Sequence, residues 1–356
     1  MKIAAIGDVH GREIWKEIAE DASKNADKIV FLGDYIDPYP EVIKKRNESK
    51  IVKTYEDFRY KNWYEDDEFS DEEKEYMKNV PLESEIEPLS ELDDDWEDGD
   101  ENLSDEEFYD KYYSKYSKFF TQYKHKTYEE TVGVLLDLID FKKKNPDKVI
   151  LLIGNHDVHY LYDEISSCSR YDFKNAKKYE KIYRANKDLF QYAYQEGNHL
   201  FTHAGVCNEW YNFFDATLDS FGLKEDNSNL GDVINKMSTD KLGNKTINVV
   251  GPLRGGRATA GGPTWADYDE TKYDYLKGMN QYVGHSKVNY IHTMSFKFNP
   301  GSITYCDVLE DAKPNMKSNY YIVDTKTKYF LYDPSKKTQK SLASVMNLTK
   351  NNSNLV

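Results

Sequence analysis

Val149-Ile150-Leu151-Leu152-Ile153-Gly154-Asn155-His156-Asp157 decides how this chain is read. A short continuous apolar run bounded by glycine predicts a strand buried on both faces, the kind found in the middle of a parallel sheet. Its carboxyl end then delivers an amide, an imidazole and a carboxylate. In open α/β sheets ligands bind just beyond the carboxyl ends of the strands, so Asn155, His156 and Asp157 stand where a site is built. Strands commonly run into polar turns, and one such block means little alone. Its weight depends on whether other strands end the same way.

They do. The run Lys2 to Ile6 stops at Gly7-Asp8-Val9-His10-Gly11, after which Ile14, Ile18, Ala19 and Ala22 recur at helical spacing. Lys28 to Leu32 stops at Gly33-Asp34-Tyr35-Ile36-Asp37. Strand, loop, helix and strand in so few residues make a parallel crossover, which sets the two loops side by side at one sheet edge. Thr127 and Glu130 form a capping box before an apolar stripe of Val132, Leu135, Leu136 and Ile139, and Asn145-Pro146 ends that helix just before the central strand. Beyond Asp157 helical patterns are predicted to about Glu196. A strand over 198–202 delivers His203, and Gln281-Tyr282-Val283 delivers Gly284-His285. Strands continue to Asp324, with Tyr320 to Asp324 and Lys328 to Tyr332 read as a hairpin. Residues 342–356 are expected to fray.

The stretch from Pro38 to Lys126 breaks this rhythm and reads as an insertion, partly helical or disordered, in a catalytic domain made of 1–37 and 127–356. Residues 65–110 hold 23 Asp and Glu against two Lys, while the whole chain carries only −15. The acidity is therefore local, and the remainder is net positive. Besides a solvated loop, two roles suit such a stretch: folding back over the site as a phosphate mimic, or recruiting a basic partner. Cys168, Cys207 and Cys306 show neither a disulfide framework nor zinc spacing, which fits a reducing compartment. No signal peptide or membrane-length apolar run is present, so a cytoplasmic protein without membrane contact is expected.

Asp8 and His10, Asp34 and Asp37, Asn155 and His156, His203, and His285 thus occupy five strand ends. Carboxylates mixed with imidazoles suit Mn²⁺, Fe or Zn²⁺ better than Ca²⁺, with Asp34 the natural bridge between two ions. Two metals roughly 3.5–4 Å apart would hold a bridging hydroxide and clamp phosphate oxygens. His156 is left over as a general acid. Asp37 on the neighbouring loop would favour its protonated form and aim its ring. His125, His159, His199 and His292 match no motif and read as structural or surface groups, and Trp265 reads as core.

GDVHG, GDYID, GNHD, the THAG around His203 and the VGH ending at His285 resemble, in order and context, the calcineurin-like metallophosphoesterases. The single terminal His, with Lys287 where many members have a second, and Pro263-Thr264-Trp265-Ala266-Asp267 make the phosphoprotein phosphatase branch the nearest likeness. The resemblance implies one metal on Asp8, His10 and Asp34 and a second on Asp34, Asn155, His203 and His285. His156 would be the proton donor, with Asp37 orienting it. The implied fold is an α/β, two-sheet αββα sandwich carrying the long acidic insertion after its second strand.

Two departures bear on the substrate. Phosphoprotein phosphatases follow the second block with Arg-Gly and place Arg before GNH; here Pro38-Tyr39 and Ile153 stand there. Arg254 or Arg257 is expected to supply the missing grip on phosphate, with Arg12 a weaker candidate. The sequence thus points to a dinuclear phosphomonoesterase with two divalent ions, Mn above all. Its partner would be a phosphorylated protein, through Ser or Thr, or a small phosphoester. Hydrolysis of dinucleoside polyphosphates, cyclic phosphates or RNA ends is the runner-up, with nucleic acid a less favoured partner. A protein-binding scaffold whose catalysis has lapsed is the reading from another class.

Overall fold

Three apolar runs build the first half of the fold. The computed structural model describes residues 1–44, 122–162, 165 and 168–326. β1 (Lys2–Ile6) is followed by α1 (Trp15–Asn25) and β2 (Lys28–Phe31), and β1 pairs with β2 in parallel, Ile3 opposite Lys28. α1 turns Trp15, Ile18, Ala19 and Ala22 inward, one face of an amphipathic helix. Contacts divide the chain into two units, Met1–Tyr39 with Lys126–Val356, and Pro40–His125. Of the second unit the described part is an antiparallel ladder, β3 (Glu41–Lys44) with β4 (Gln122–Lys124).

α2 (Tyr128–Lys144) starts at the Thr127–Glu130 capping box, in which each residue's side chain bonds the other's backbone N–H. It leads into β5 (Val149–Leu152), which extends the sheet in parallel beside β2. The strands are apolar on both faces because both faces are covered. Ala4, Ile6, Ile29, Phe31, Val149 and Leu151 pack with α1 and α2, whereas Ile3, Ala5, Val30, Leu32, Ile150 and Leu152 pack with Phe201 and Tyr282 of a second sheet. The two-residue side-chain period of a strand thus sorts one run into two cores.

α3 (Asn155–Val158) is a single turn opening directly off β5, and α4 (Ala176–Ala185) follows. The helical pattern predicted to Glu196 stops here. β6 (Phe190–Gln191) pairs with β5 at the edge of the first sheet, and β7 (Ala193–Glu196) pairs with β8 (His199–Thr202) at the edge of the second. These strands were missed because they are two and four residues long, partly polar, and carried by backbone pairing. Between them the chain crosses from one sheet to the other.

The second sheet's outer face is covered by α5 (Asn208–Phe213), α6 (Asp215–Ser220), α7 (Leu230–Met237) and α8 (Lys241–Ile247), whose Trp210, Leu218, Val233, Ile234 and Ile247 pack with Ala193 and Leu200. After α9 (Tyr268–Asp274), β9 (Asn280–Val283) runs parallel to β8; β10 (His292–Phe296) and β11 (Asn299–Tyr305) complete that sheet. The layers therefore run helix, sheet, sheet, helix. β12 (Tyr320–Asp324) returns to the first sheet antiparallel to β1, Lys2 opposite Asp324. Residues 328–332, the tail 342–356 and most of the acidic insertion lie outside the described residues. Among the described residues no helix is long and apolar enough to cross a membrane, and the three cysteines are unpaired.

Candidate metal centre

β1, β2 and β5 are neighbours in the first sheet, β8 and β9 in the second, and their carboxyl ends meet. Two hydrogen bonds stitch the sheets together there. His203 Nδ1 donates to the Leu32 carbonyl at 2.8 Å, and the His285 backbone N–H donates to Asp8 at 3.0 Å. Within the first sheet Asp157 fastens the second loop to the third. Its carboxylate accepts from the backbone N–H groups of Asp34, Tyr35 and Gly154 at 2.7–2.9 Å and from the Tyr183 hydroxyl at 2.5 Å. Two glycines make the close approach feasible. A Cβ on Gly154 would stand 2.1 Å from Asp34 Oδ1, and one on Gly284 would stand 2.1 Å from Asp8 Oδ1.

Asp8, His10 and Asp34 form one group whose ligand atoms lie within 4.8 Å of one another, and Asp34, His203 and His285 form another. Asp34 belongs to both. His10 Nδ1 bonds the Ile36 carbonyl at 2.8 Å, leaving Nε2 3.7 Å from Asp34 Oδ2; His203 Nε2 is 3.5 Å from the same oxygen. Asn155 Oδ1 lies 2.8 Å from His203 Nε2 and 2.9 Å from His285 Nδ1. Because His203 Nδ1 gives its proton to Leu32, its Nε2 is a lone pair aimed at an amide oxygen. Two acceptors at that distance repel unless a cation, or the Nδ1–H of His285 at 3.1 Å from Nε2 and 2.9 Å from the amide oxygen, stands beside them, and a carbonyl anchoring the far nitrogen is the usual support of a metal-binding His. The donor set therefore fits divalent ions.

Electrostatics agree. Burial, with Asp307 and Asp34 nearby, holds Asp8 well above the usual carboxylate range; burial and Asp157 do the same for Asp34. Burial also holds His10 and His285 well below the usual imidazole value and brings His203 down to about 3. Neutral imidazoles are the ligand form, and a cation would offset the cost of ionising buried carboxylates. His10, Asp34, Asp37, His285 and Arg170 take left-handed backbone, φ 43–62°, where side chains other than glycine are strained.

Beside this cluster stands His156. Its Nδ1 is 2.9 Å from Asp37 Oδ2, and its backbone N–H donates to Asp34 Oδ1 at 2.9 Å. Asp37 Oδ1 accepts from the Tyr160 hydroxyl at 2.6 Å, and His159 Nε2 stands 2.9 Å from Oδ2, poorly aligned for a hydrogen bond. Burial opposes ionisation of Asp37, but the bond from His156 and the nearby His159 imidazole outweigh it, and its carboxyl sits below the usual range. His156 differs from expectation. Burial lowers it more than Asp37 raises it, so the imidazole lies below its ordinary value.

Of the expected arginines, Arg254 stands close enough for its charge to lower His203 and His285. Arg254 Nε is 2.6 Å from Asp267 Oδ2 and its Nη2 donates to Ser286 at 3.0 Å. Arg257 is exposed and, among the described residues, bonds none of the site groups. Arg12 bonds the Val9 carbonyl. Arg170, which the sequence reading passed over, donates from Nε to the Asp37 carbonyl at 3.0 Å and brings Nη2 to 3.5 Å from His156 Nε2. His159 and Tyr160 were also missed, although they follow His156 at helical spacings of three and four. Trp265 is buried as expected, and its ring centroid lies 6.0 Å from that of His285. Lys287 pairs with Glu310 and Asp311.

Among protein-family models, the one described as calcineurin-like phosphoesterase matches residues 94–286, just over half of the chain. That span carries Asn155, His156, His203 and His285. No curated protein matches.

Proposed function

Because the chain belongs to the calcineurin-like phosphoesterase family, we propose that it is a dinuclear phosphomonoesterase of the phosphoprotein phosphatase type, acting on phosphoserine or phosphothreonine in proteins. The family makes it a metal-dependent hydrolase of phosphoric esters. The observation that carries the metal-dependent reading is the facing pair His203 Nε2 and Asn155 Oδ1, 2.8 Å apart with no proton of their own to share. Asp8, His10 and Asp34 would hold one ion; Asp34, Asn155, His203 and His285 would hold the other. Such ions, Mn²⁺ above all, would supply a water nucleophile at neutral pH and positive charge for the phosphate oxygens.

The chain's own residues do the rest. Asp37 fixes the ring of His156 through Nδ1, which leaves Nε2 as the position that hands a proton to the departing oxygen. Asp157 and the glycines hold the loops at the separation this requires. The protein-phosphatase reading draws support from the single terminal His285, with Lys287 turned to Glu310 and Asp311, and from Asp267 of the Pro-Thr-Trp-Ala-Asp stretch, which anchors Arg254.

The test is hydrolysis of p-nitrophenyl phosphate and bis-p-nitrophenyl phosphate, with and without Mn²⁺, by the wild type and by His156→Asn. Metal-dependent turnover of the monoester, lost in the variant, is the expected result. Faster turnover of the diester would favour the nucleotide or RNA-end reading. No turnover of either by protein shown to hold metal would favour the scaffold.

A further inference from the structure

We infer that Arg170, clamped against Tyr39, is the side chain that grips the substrate phosphate; the inference rests on the phosphoesterase reading above. Neither position where a phosphoprotein phosphatase carries its arginines holds one here, for Pro38 and Ile153 stand there. Arg170 reaches the second loop from elsewhere in the chain, between α3 and α4. Its guanidinium carbon lies 3.4 Å from the Tyr39 ring centroid, which fixes the plane of the group. Its Nε bond to the Asp37 carbonyl, 3.0 Å, fixes the rotation within that plane. The Nη edge is thereby turned to His156, with Nη2 3.5 Å from Nε2.

Three observations favour Arg170, the first of them over Arg254. Among the described residues no carboxylate stands within ion-pair distance of it, whereas Arg254 is already bound to Asp267 and Ser286. It holds a left-handed backbone, φ 62°, as four of the other site residues do. Tyr39, which carries it, is 40% exposed and so lies at the open side of the site. A phosphoryl oxygen seated between Arg170 Nη2 and His156 Nε2 would touch both the anchor and the proton donor. A fixed, planar, delocalised cation suits a phosphate dianion in bidentate fashion, so Arg170 selects monoesters over diesters, whose single charge gains less from it.

The experiment compares metal-loaded wild type with Arg170→Ala, Arg170→Lys, Tyr39→Ala and Tyr39→Phe. It reads kcat and KM on the two p-nitrophenyl esters, the affinity for inorganic phosphate by calorimetry, and metal content by mass spectrometry. Arg170→Ala is expected to lower kcat/KM on the monoester about 100- to 1,000-fold, the loss that follows removal of one preorganised donor to transition-state oxygens. The diester should suffer less. Phosphate affinity should fall at least about tenfold with metal content unchanged. Lys should restore only part of the loss, Tyr39→Phe should keep the stack, and Tyr39→Ala combined with Arg170→Ala should lose no more than Arg170→Ala alone.

Wild-type phosphate affinity and ester selectivity in Arg170→Ala, while the wild type itself hydrolyses and binds phosphate, would overturn the inference. Should that variant fail to fold, unaltered phosphate affinity and selectivity in Arg170→Lys overturn it equally. If the wild type neither hydrolyses the monoester nor binds phosphate, the phosphoesterase reading falls and takes this inference with it.

Discussion

His203 and His156 are anchored alike and finish differently. Each ring commits Nδ1 to an oxygen, His203 to the Leu32 carbonyl at 2.8 Å and His156 to the Asp37 carboxylate at 2.9 Å, and each leaves Nε2 pointing onward. Beyond His203 stands another acceptor, Asn155 Oδ1; beyond His156 stands a donor, Arg170 Nη2. The surroundings follow the same division. Around Asp34 the side-chain acceptors converge on each other, while around Asp37 the carboxylate is supplied by His156 and Tyr160. One half of the site is incomplete without added positive charge. In the other the carboxylate already has side-chain donors, and a single nitrogen of His156 is held in a fixed place.

The harshest way to break this contrast is through Asp34, the carboxylate common to both groups of ligand atoms. Asp34→Asn should release metal and lower kcat on the order of 10⁴-fold, as expected of a residue on which several others depend. Metal analysis on the purified variant checks it, and full occupancy would refute the assignment. Gly154→Ala is the cleaner version, since it removes no ligand atom. Its methyl would occupy the space of Asp34 Oδ1, and the same loss of metal should follow.

Perturbing the other half should spare the metal. His156→Asn is expected to cost about 10²- to 10⁴-fold in kcat, the range for a lost general acid, with metal content intact. Asp37→Asn should cost less, about 10- to 100-fold, because the ring remains while its orientation loosens. That variant also predicts a direction in pH. Burial lowers His156, and the bond to Asp37 pulls it back up. A proton donor must carry its proton, so activity is lost as pH rises through its pKa. Without Asp37 that alkaline limb should move to lower pH, and a kcat profile showing it unmoved or raised would separate Asp37 from the proton donor.

The same contrast explains what the sequence made legible. The carboxylates and imidazoles that converge follow closely on strands, so a polar residue after each apolar run, most often behind a glycine, marked them. The sheets themselves were visible because Ile3, Ala5, Ala4 and Ile6 are apolar on both sides of one strand. Arg170 was not legible. It lies between α3 and α4, and its approach to His156 depends on a left-handed turn and a stack on Tyr39 that no spacing announces. His159 and Tyr160 occupy a middle position, readable from helical spacing once Asn155–Val158 is known to open as a helix. β6 and β7 were hidden because backbone pairing, and not an apolar pattern, makes them strands.

Cys168 offers the gentlest test, since it touches both halves. Its Sγ accepts from Asn155 Nδ2 at 3.1 Å, which turns the amide oxygen toward His203 and His285, and its backbone N–H donates to His159 Nδ1 at 3.0 Å. Burial pushes the thiol's pKa up, and the neutral thiol donates in turn to the Asn155 carbonyl at 3.3 Å. Cys168→Ala should therefore free the Asn155 amide and weaken metal affinity about tenfold, the low end for losing a group that orients a ligand. The backbone bond to His159 survives the change, so proton transfer through His156 should be untouched at saturating metal. Cys168→Ser keeps an acceptor in the same place and should stay close to wild type in a metal titration. An Ala variant with unaltered affinity would mean that Asn155 is held by its neighbours alone. A Ser variant as weak as Ala would mean that sulfur itself takes part in binding, and the cluster would then extend to His156 and His159.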